Sequence, residues 1–415
     1  MVGFGKGNCA EELMLLREYF RRTGDNKSSV WVLSPVRPSD FLQHHIDIGL
    51  GKERYRIIDQ FGGRQPILLN YDFMINDANV IKFVLTILLD SNVMSYLHKY
   101  VTGDISFRLS RRGLATKNLL TQFVILGCDY SPIFYLLETL TKNVFEKTFP
   151  HAREFAETIL RLHTMDEAYF LKSGDIRPDK EQVAAYLEDN NVKTLSKLAE
   201  LRVRHIATGL TTYAPVNLQA TYACLLKAGI LNCAKVSQQR KMEQFFEFLH
   251  NELGCLMARE ALVAGLHFRS KAGNLIPINP NYKKDFKVMM MASSWDILLL
   301  RMPEFLLAQG DQRETILAYV CTADRALQEL GAMFTLFRLE NTMRNNFTPI
   351  PQMIFHEDII KRLLGPEISS VFFRGYDHKR VIEQVRVPVD QNALAKIISN
   401  LEYEASSIMG LKICK

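Results

Sequence analysis

The sequence predicts an α/β fold, in which a parallel sheet is flanked by helices and interrupted by a large helical insertion. Two apolar runs, Val80 to Leu89 and Thr315 to Cys321, are rich in β-branched residues and have the character of buried parallel strands. A helix is predicted directly after each run. Between them, residues 132–268 carry apolar side chains at three- and four-residue spacing, which is typical of helices. Strand–helix units around a helical middle indicate an α/β architecture.

The composition is that of a globular protein. The chain has 415 residues, of which 47% are hydrophobic and 23% charged, and this balance excludes long disorder, collagen-like repeats and a disulfide scaffold. A net charge of +6 is compatible with a polyanionic partner without requiring one. Seven cysteines without a C-x-x-C pair favour reduced core thiols. No secretory signal and no apolar stretch of about 18 residues is visible, so we expect a cytoplasmic protein.

Changes in the predicted secondary structure along the chain divide it into five segments. Residues 1–80 mix a helix, short strands and many turn residues, so we expect an irregular α+β N-terminal extension. Residues 81–140 and 252–345 contain the strand–helix units and form the two parts of one α/β domain. Residues 141–251 form the helical insertion. Residues 346–415 alternate helix with short extended pieces, such as Val371 to Phe373, and form a C-terminal α/β extension.

Two acidic residues follow the two predicted strands. Asp90 lies in Leu89-Asp90-Ser91-Asn92 and Asp324 lies in Thr322-Ala323-Asp324-Arg325, each at the start of a predicted helix. Because ligands bind at the carboxyl ends of strands in open α/β sheets, two parallel strands would bring both acids to one edge. Taken singly, each acid is better explained as a helix N-cap. Because the pattern of a strand followed by an acid and a helix occurs twice, a shared site is the alternative explanation.

Asp296 is a third candidate, because it lies within the apolar segment Met289 to Leu300. A carboxylate in such a helix is costly unless it is paired or coordinated. The alternatives are a distant Lys or Arg partner, or a helix that starts at Ser293 to Asp296.

Glu138 is a fourth candidate, on a helix that Ser131 and Pro132 are expected to start. Its alternative is an ordinary surface pair with Lys142, four residues later. Glu260 lies in a similar apolar setting and is a rival to Glu138.

Several carboxylates that converge at one sheet edge could not all be ionised without cations. Mg²⁺ and Mn²⁺ prefer oxygen ligands and would satisfy them. Two such ions about 3.5–4 Å apart clamp the attacking and leaving oxygens of a phosphodiester during in-line displacement. The residues therefore indicate metal-dependent phosphoryl chemistry.

The order of these motifs resembles that of PIN-domain nucleases and their 5′-nuclease-type relatives. Those proteins begin with a strand that ends in Asp-(Ser/Thr)-Asn, as in Asp90-Ser91-Asn92, and place a later acid in a Thr-x-Asp turn, as in Thr322-Ala323-Asp324. Two intermediate helical acids are matched by Ser131 to Glu138 and by Trp295-Asp296. The resemblance implies a PIN-like parallel sheet and one or two Mg²⁺ or Mn²⁺ ions, held by Asp90, Glu138, Asp296 and Asp324.

The sequence also departs from the PIN pattern. Asp90 and Asp324 are 234 positions apart, which is more than a compact PIN domain requires, so residues 141–251 would be an insertion. This spacing leaves open whether Glu138 or Glu260 completes the site, because the insertion separates them.

The expected activity is that of a metal-dependent ribonuclease or endonuclease, with RNA favoured over DNA and single-stranded DNA as a further substrate. A toxin-like or defence role is compatible with it. The alternative is a non-catalytic PIN-like scaffold that binds nucleic acid or a protein partner through its insertion, and a homo-oligomer is compatible with either. Polar residues expected to contact substrate are Asn92, Arg108, Arg111, Arg112, Arg202, Arg204, Arg240 and Lys241.

Overall fold

A computed structural model describes residues 9–39, 42, 44–76, 82–142, 145–213, 215–255, 257–271, 276, 286–309, 314–341, 350–376 and 390–408. Its strands are β1 (Ser29–Pro38), β2 (Ile46–Leu50), β3 (Glu53–Ile58), β4 (Arg64–Asn70), β5 (Lys82–Leu89), β6 (Asp129–Ser131), β7 (Glu314–Thr322), β8 (Phe334–Asn341) and β9 (Ile350–Phe355).

The helices up to the predicted insertion are α1 (Cys9–Thr23), α2 (Tyr71–Asn76), α3 (Ser91–Val101), α4 (Ile105–Leu109), α5 (Arg111–Leu126) and α6 (Ile133–Lys142). The next six are α7 (Phe145–His163), α8 (Glu167–Ser173), α9 (Lys180–Asp189), α10 (Leu195–Tyr213), α11 (Pro215–Cys233) and α12 (Gln238–Glu247), followed by a π-helix (Phe248–Leu253). The last are α13 (Ala258–Phe268), α14 (Phe286–Leu299), α15 (Met302–Gln309), α16 (Arg325–Gly331), α17 (Glu357–Gly375) and α18 (Gln391–Ile408).

The larger sheet has five strands in the order β2-β3-β7-β5-β6. Strand β5 is parallel to both β6 and β7, and Leu89 of β5 is in register with Cys321 of β7. In the described residues, the two apolar runs singled out in the sequence are therefore neighbouring parallel strands, as predicted. Residues of the predicted N-terminal extension complete this sheet, since β3 pairs with β7 in the antiparallel direction.

A second, antiparallel sheet has the order β4-β1-β8-β9. Trp31 and Leu33 of β1 belong to the same buried cluster as Leu89 of β5, so apolar side chains of this sheet join the core around the larger one. On β1, Val30 packs with Phe20 of α1 in a separate small cluster. The described part of the chain is thus a mixed α/β structure with two sheets.

The middle of the chain is helical, as the spacing predicts, and its last part consists of several helical pieces. Residues 242–268 contain the end of α12, the π-helix, a left-handed glycine at Gly254 and then α13. The prediction of an extended piece at Val371 to Phe373 is wrong, because these residues lie inside α17. Val371 and Phe372 are both buried there, and a three-residue apolar run does not distinguish a strand from a buried helix turn.

Within the described residues, no helix is both long enough and apolar enough to span a membrane. The glycine-rich stretch Gly3 to Asn8 at the start of the chain lies outside the described residues.

Candidate active site

Asp90 lies at the carboxyl end of β5, with its side chain directed to β7. Its backbone N–H donates to the Cys321 carbonyl at 3.0 Å, and its carboxylate accepts a hydrogen bond from the Thr322 hydroxyl at 2.7 Å. The residue is only 2% exposed. Although Asp90 occupies the N-cap position of α3, its side chain makes no capping hydrogen bond to that helix. The backbone N–H of Asn92 in the first turn of α3 still lowers the pKa of this carboxylate, so Asp90 serves both the helix start and the contact with β7.

Glu138 lies on α6 and faces the start of α3. The hydroxyl of Ser91, the residue after Asp90, donates a hydrogen bond to Glu138 Oε2. Glu138 is 3% exposed, so the two carboxylates form a buried pair on neighbouring elements. The side chain of its alternative partner, Lys142, lies outside the described residues.

Asp324 combines the two roles considered for it. Its Oδ1 accepts hydrogen bonds from the backbone N–H groups of Ala326 (2.7 Å) and Leu327 (3.1 Å), so it caps α16. Its own N–H donates to the Thr322 hydroxyl oxygen at 2.9 Å. Thr322 thus binds Asp90 through its proton and Asp324 through its oxygen, and it connects two of the four predicted acids.

The acids also interact electrostatically. The pKa of Asp90 is raised to about 6, by burial first and also by the neighbouring charges of Glu138 and Asp324, against the opposing effect of the Thr322 hydrogen bond. The strongest charges acting on Asp90 are therefore both negative. The structure brings three of the four predicted acids together at the carboxyl ends of β5 and β7.

Asp296 lies half-buried on α14, a helix that contacts α6. The ring of the preceding Trp295 meets Phe134 of α6 edge to face at 5.6 Å, and Phe134 is one turn before Glu138. The alternative of a helix start at Ser293 is wrong, because α14 begins seven residues earlier, at Phe286.

Glu260, the rival to Glu138, is engaged elsewhere. It is fully buried, accepts a hydrogen bond from the Thr221 hydroxyl at 2.6 Å and is ion-paired with Arg301. A second buried pair, Arg259 with Glu304, lies beside it. Because Arg301 neutralises Glu260 and Glu138 acts on Asp90, the geometry favours Glu138 as the neighbour of Asp90.

The donor atoms at this site suit hard cations. The Asp90 carboxylate is bound by the Thr322 hydroxyl and the Glu138 carboxylate by the Ser91 hydroxyl, with the Asp324 carboxylate nearby, and Mg²⁺ and Mn²⁺ prefer oxygen ligands. A buried set of like charges is costly without a counter-charge. Among the described residues, no group of three or more His, Cys, Asp or Glu side chains is already arranged around a metal position.

The predicted substrate contacts are scattered over several elements. Arg108 pairs with Asp175 and Arg112 with Glu53. Asn92 and Arg111 are exposed at the N-terminal ends of α3 and α5. In the insertion, the remaining residues already have partners within the protein: Arg202 lies over Tyr186, Arg204 pairs with Glu200, Arg240 with Glu243 and Glu247, and Lys241 donates to the Asn232 carbonyl.

Ser91 and Thr322 are the site residues that sequence reasoning missed. Both belong to motifs singled out above. The signal in the sequence was a hydroxyl residue within two positions of an acid at the end of a strand. Comparison of the chain with protein-family models, with curated proteins and with solved structures gave no match. A functional proposal therefore depends on the geometry of the site itself.

Proposed function

We propose that the protein is a metal-dependent nuclease that hydrolyses phosphodiester bonds of RNA, and also of single-stranded DNA. One observation carries the proposal: Asp90, Glu138 and Asp324 meet at the carboxyl ends of two parallel strands, with Asp90 and Glu138 almost fully buried. Carboxylates that converge in this way and raise the pKa of the buried Asp90 favour a divalent cation at this position. Ligands bind at this edge of open α/β sheets.

In this proposal, Asp90, Glu138 and Asp324 hold one or two Mg²⁺ or Mn²⁺ ions, and Asp296 on the adjacent α14 is the fourth ligand. When bound, the ions would neutralise the charge that develops on the phosphate oxygens during displacement. Carboxylates are suited to this role because they supply charge without taking part covalently.

The remaining residues keep the acids in place. The Thr322 hydroxyl fixes one oxygen of Asp90, and the Ser91 hydroxyl fixes one oxygen of Glu138. Asp324 is held by the first turn of α16. Groups that orient ligands in this way limit the entropy that is lost when a metal or substrate binds.

The test is an assay of labelled RNA and DNA, single-stranded and duplex, with Mg²⁺, with Mn²⁺ and with EDTA. We expect cleavage of single strands with either metal, none in EDTA, and none by the Asp90→Asn variant. Asp179→Asn is the matched control, because Asp179 caps α9 in the insertion and the change removes the same charge. Wild-type turnover by a folded Asp90→Asn protein would contradict the proposal.

The second candidate function, a non-catalytic scaffold that binds nucleic acid or protein through its insertion, gives a different result in the same assay. The scaffold would bind RNA without cleaving it under any metal condition. Its binding would be unchanged by Asp90→Asn.

A further inference from the structure

A cluster of aromatic and cationic side chains joins α3, α4, α5 and β3. The rings of Tyr96 and Phe107 stack nearly parallel, at 12° and with centroids 6.0 Å apart. The Arg112 guanidinium lies 4.8 Å from the Tyr96 ring centre and 5.7 Å from that of Tyr55. The Lys99 ammonium lies 5.9 Å from the Phe107 ring centre. We call Tyr96, Phe107, Lys99 and Arg112 the ring stack.

The ring stack lies at the same edge of the sheet as the acids. On β3, Arg56 is in register with Thr322, so Tyr55 stands one position beyond Thr322, toward Asp324. Tyr55 in turn meets Tyr96 edge to face at 6.3 Å. On α3, Tyr96 follows the exposed Asn92 by one helical turn, which is about 6 Å along the axis. The exposed Asn92 therefore lies between Asp90 and the ring stack along α3.

The two ends of the ring stack differ in their exposure to solvent and in their contacts. Arg112 is ion-paired with Glu53 and holds one end of the stack. At the other end, Phe107 is only partly buried and its cationic neighbour Lys99 is exposed. The residues on either side of Phe107 in α4 are strongly exposed apolar side chains, with Ile105 at 73% and Leu109 at 76%. Arg111, at the start of α5, is also exposed.

An aromatic face flanked by cations is what an unpaired nucleotide requires. Bases stack on aromatic side chains whatever their sequence, and nearby Lys and Arg side chains attract the phosphates. In a duplex the base faces are occupied by their neighbours and are not available for such stacking. This chemistry therefore selects single strands.

We infer that the outer face of Phe107 is a stacking platform for an unpaired nucleotide next to the bond that is cut, and that Lys99 and Arg111 contact its phosphates. The inference deepens the proposed nuclease function and rests on it for the substrate, a single-stranded nucleic acid. Tyr96 and Arg112 support the platform from below.

The experiment measures binding of two fluorescent strands to the Asp90→Asn protein in EDTA, so that no cleavage occurs. One probe is single-stranded oligoadenylate RNA, and the other is an abasic strand of the same length. Phe107→Leu keeps an apolar side chain and removes the ring. We expect it to weaken binding of oligoadenylate by about tenfold, because a stacked base contributes on the order of tenfold or more to affinity, and to leave the abasic strand unaffected.

The cations are tested separately, which keeps the inference testable if Phe107→Leu does not fold. Lys99→Gln with Arg111→Gln should weaken binding of both probes and reduce its salt dependence, because phosphates are present in both. Matched controls are Tyr403→Leu, an exposed aromatic on α18, and Lys361→Gln with Arg374→Gln on α17. These controls should bind both probes like the parent.

The inference is overturned if Phe107→Leu binds oligoadenylate with the affinity of the parent, or loses the same factor for both probes. It is also overturned if the Lys99 and Arg111 double variant binds like its α17 control. A failure of the platform can be distinguished from a failure of the proposed nuclease function. If the wild-type protein cleaves RNA but Phe107 does not matter, only the platform is wrong. If Phe107 governs binding but no metal supports cleavage, only the nuclease proposal is wrong.

Discussion

The Thr322 hydroxyl donates a hydrogen bond to the Asp90 carboxylate at 2.7 Å, although 232 positions separate the two residues in the chain. The contact exists because β5 and β7 are neighbouring parallel strands that end at the same level. The same hydroxyl oxygen accepts the N–H of Asp324. One side chain therefore sets the relative positions of two acids that are far apart in sequence.

Replacing Thr322 with Val keeps the shape of the side chain and removes both hydrogen bonds. We expect metal affinity or cleavage to fall by about 10- to 100-fold, which is typical for residues that orient metal ligands. Thr322→Ser should retain most activity, since it keeps the hydroxyl. Thr86→Val, at a buried threonine on β5, is the control for the loss of a buried hydroxyl in the same sheet. Equal activity of Thr322→Val and wild type would show that the hydroxyl does not position the acids.

The elements that carry this contact could be predicted because their signals are local. The apolar, β-branched runs and the acid at the end of each one identify β5, β7 and their common edge. The pairing of β3 with β7 could not be predicted in the same way. The segment Glu53–Ile58 is short and charged, and its place in the sheet depends on a partner more than 260 residues away.

The choice between Glu138 and Glu260 could not be made from the sequence for a similar reason. Both acids lie on helices among apolar residues. They differ in a non-local partner: Arg301 binds Glu260, whereas Glu138 is bound by Ser91 at the start of α3. From sequence alone, Arg301 is a plausible neighbour of Asp296, and its actual position becomes evident only when α13 and α15 are placed.

Metal ions should stabilise the folded protein. If the acids repel one another without metal, Mg²⁺ or Mn²⁺ that binds only the folded state should raise the melting temperature in a concentration-dependent way. Asp324→Asn separates charge from capping, because Asn is as good an N-cap as Asp. We expect this variant to keep its metal-free melting temperature and lose most of the metal response.

Asp324→Ala, by contrast, should also lower the metal-free stability, by about 1 kcal/mol, since the cap of α16 is lost. Differential scanning fluorimetry over a range of Mn²⁺ concentrations provides both measurements. An unchanged melting curve of the wild-type protein in millimolar Mn²⁺ would count against a preformed site.

The stability of the protein should depend on pH because of the buried Asp59, which lies outside the acid site. Its carboxylate accepts the N–H of Phe61 at 2.8 Å, and burial raises its pKa from 3.8 to about 6. The folded state therefore holds the Asp59 proton more tightly than the unfolded state. This contribution to stability is complete below about pH 4 and is lost as the pH rises through 6, by about 2–3 kcal/mol.

His45 has the opposite effect, so the two must be measured as differences from wild type. Its Nδ1 accepts the backbone N–H of Asp59, and burial, followed by the Arg56 charge, lowers its pKa from 6.5 to about 4. Its contribution is complete above pH 6.5 and is lost as the pH falls toward 4. Urea unfolding from pH 4 to 7 should show opposite slopes in the differences for Asp59→Asn and His45→Gln. Parallel slopes would contradict the assignment.

The buried ion pair between Arg259 and Glu304 should be costly to break. Arg259 is 0% exposed and packs 4.8 Å from the Phe334 ring centre, with Glu304 as its ion-pair partner and the charge of Glu260 nearby. Glu304→Gln leaves the Arg259 charge without its partner, and we expect a loss of about 3–5 kcal/mol in the free energy of unfolding. The double variant Arg259→Met with Glu304→Leu should recover much of this loss. A double-mutant cycle that shows no coupling energy between Arg259 and Glu304 would contradict this prediction.

The cations of the insertion are expected to contribute phosphate contacts, and the structure divides them into two groups. Arg202 and Arg204 lie on α10, which contacts α7 and α6, whereas Arg240 and Lys241 lie on α12, which contacts α13 and α17. Replacing all four with Ala should weaken RNA binding and flatten its salt dependence, because each phosphate contact releases counterions. The metal-induced rise in melting temperature should survive, since the carboxylates are unchanged.

Two double variants show which group carries the effect. Arg240 must leave two carboxylates, Glu243 and Glu247, to reach a phosphate, and Lys241 must leave the Asn232 carbonyl. Arg204 must leave only one carboxylate, Glu200, and Arg202 lies over the Tyr186 ring. We therefore expect Arg202→Ala with Arg204→Ala to carry the larger part of the change, up to about 1.4 in the slope of log affinity against log salt for a single strand. If the quadruple variant binds RNA with the affinity and salt slope of the parent, these cations are ordinary surface residues. The substrate then does not contact the insertion through them.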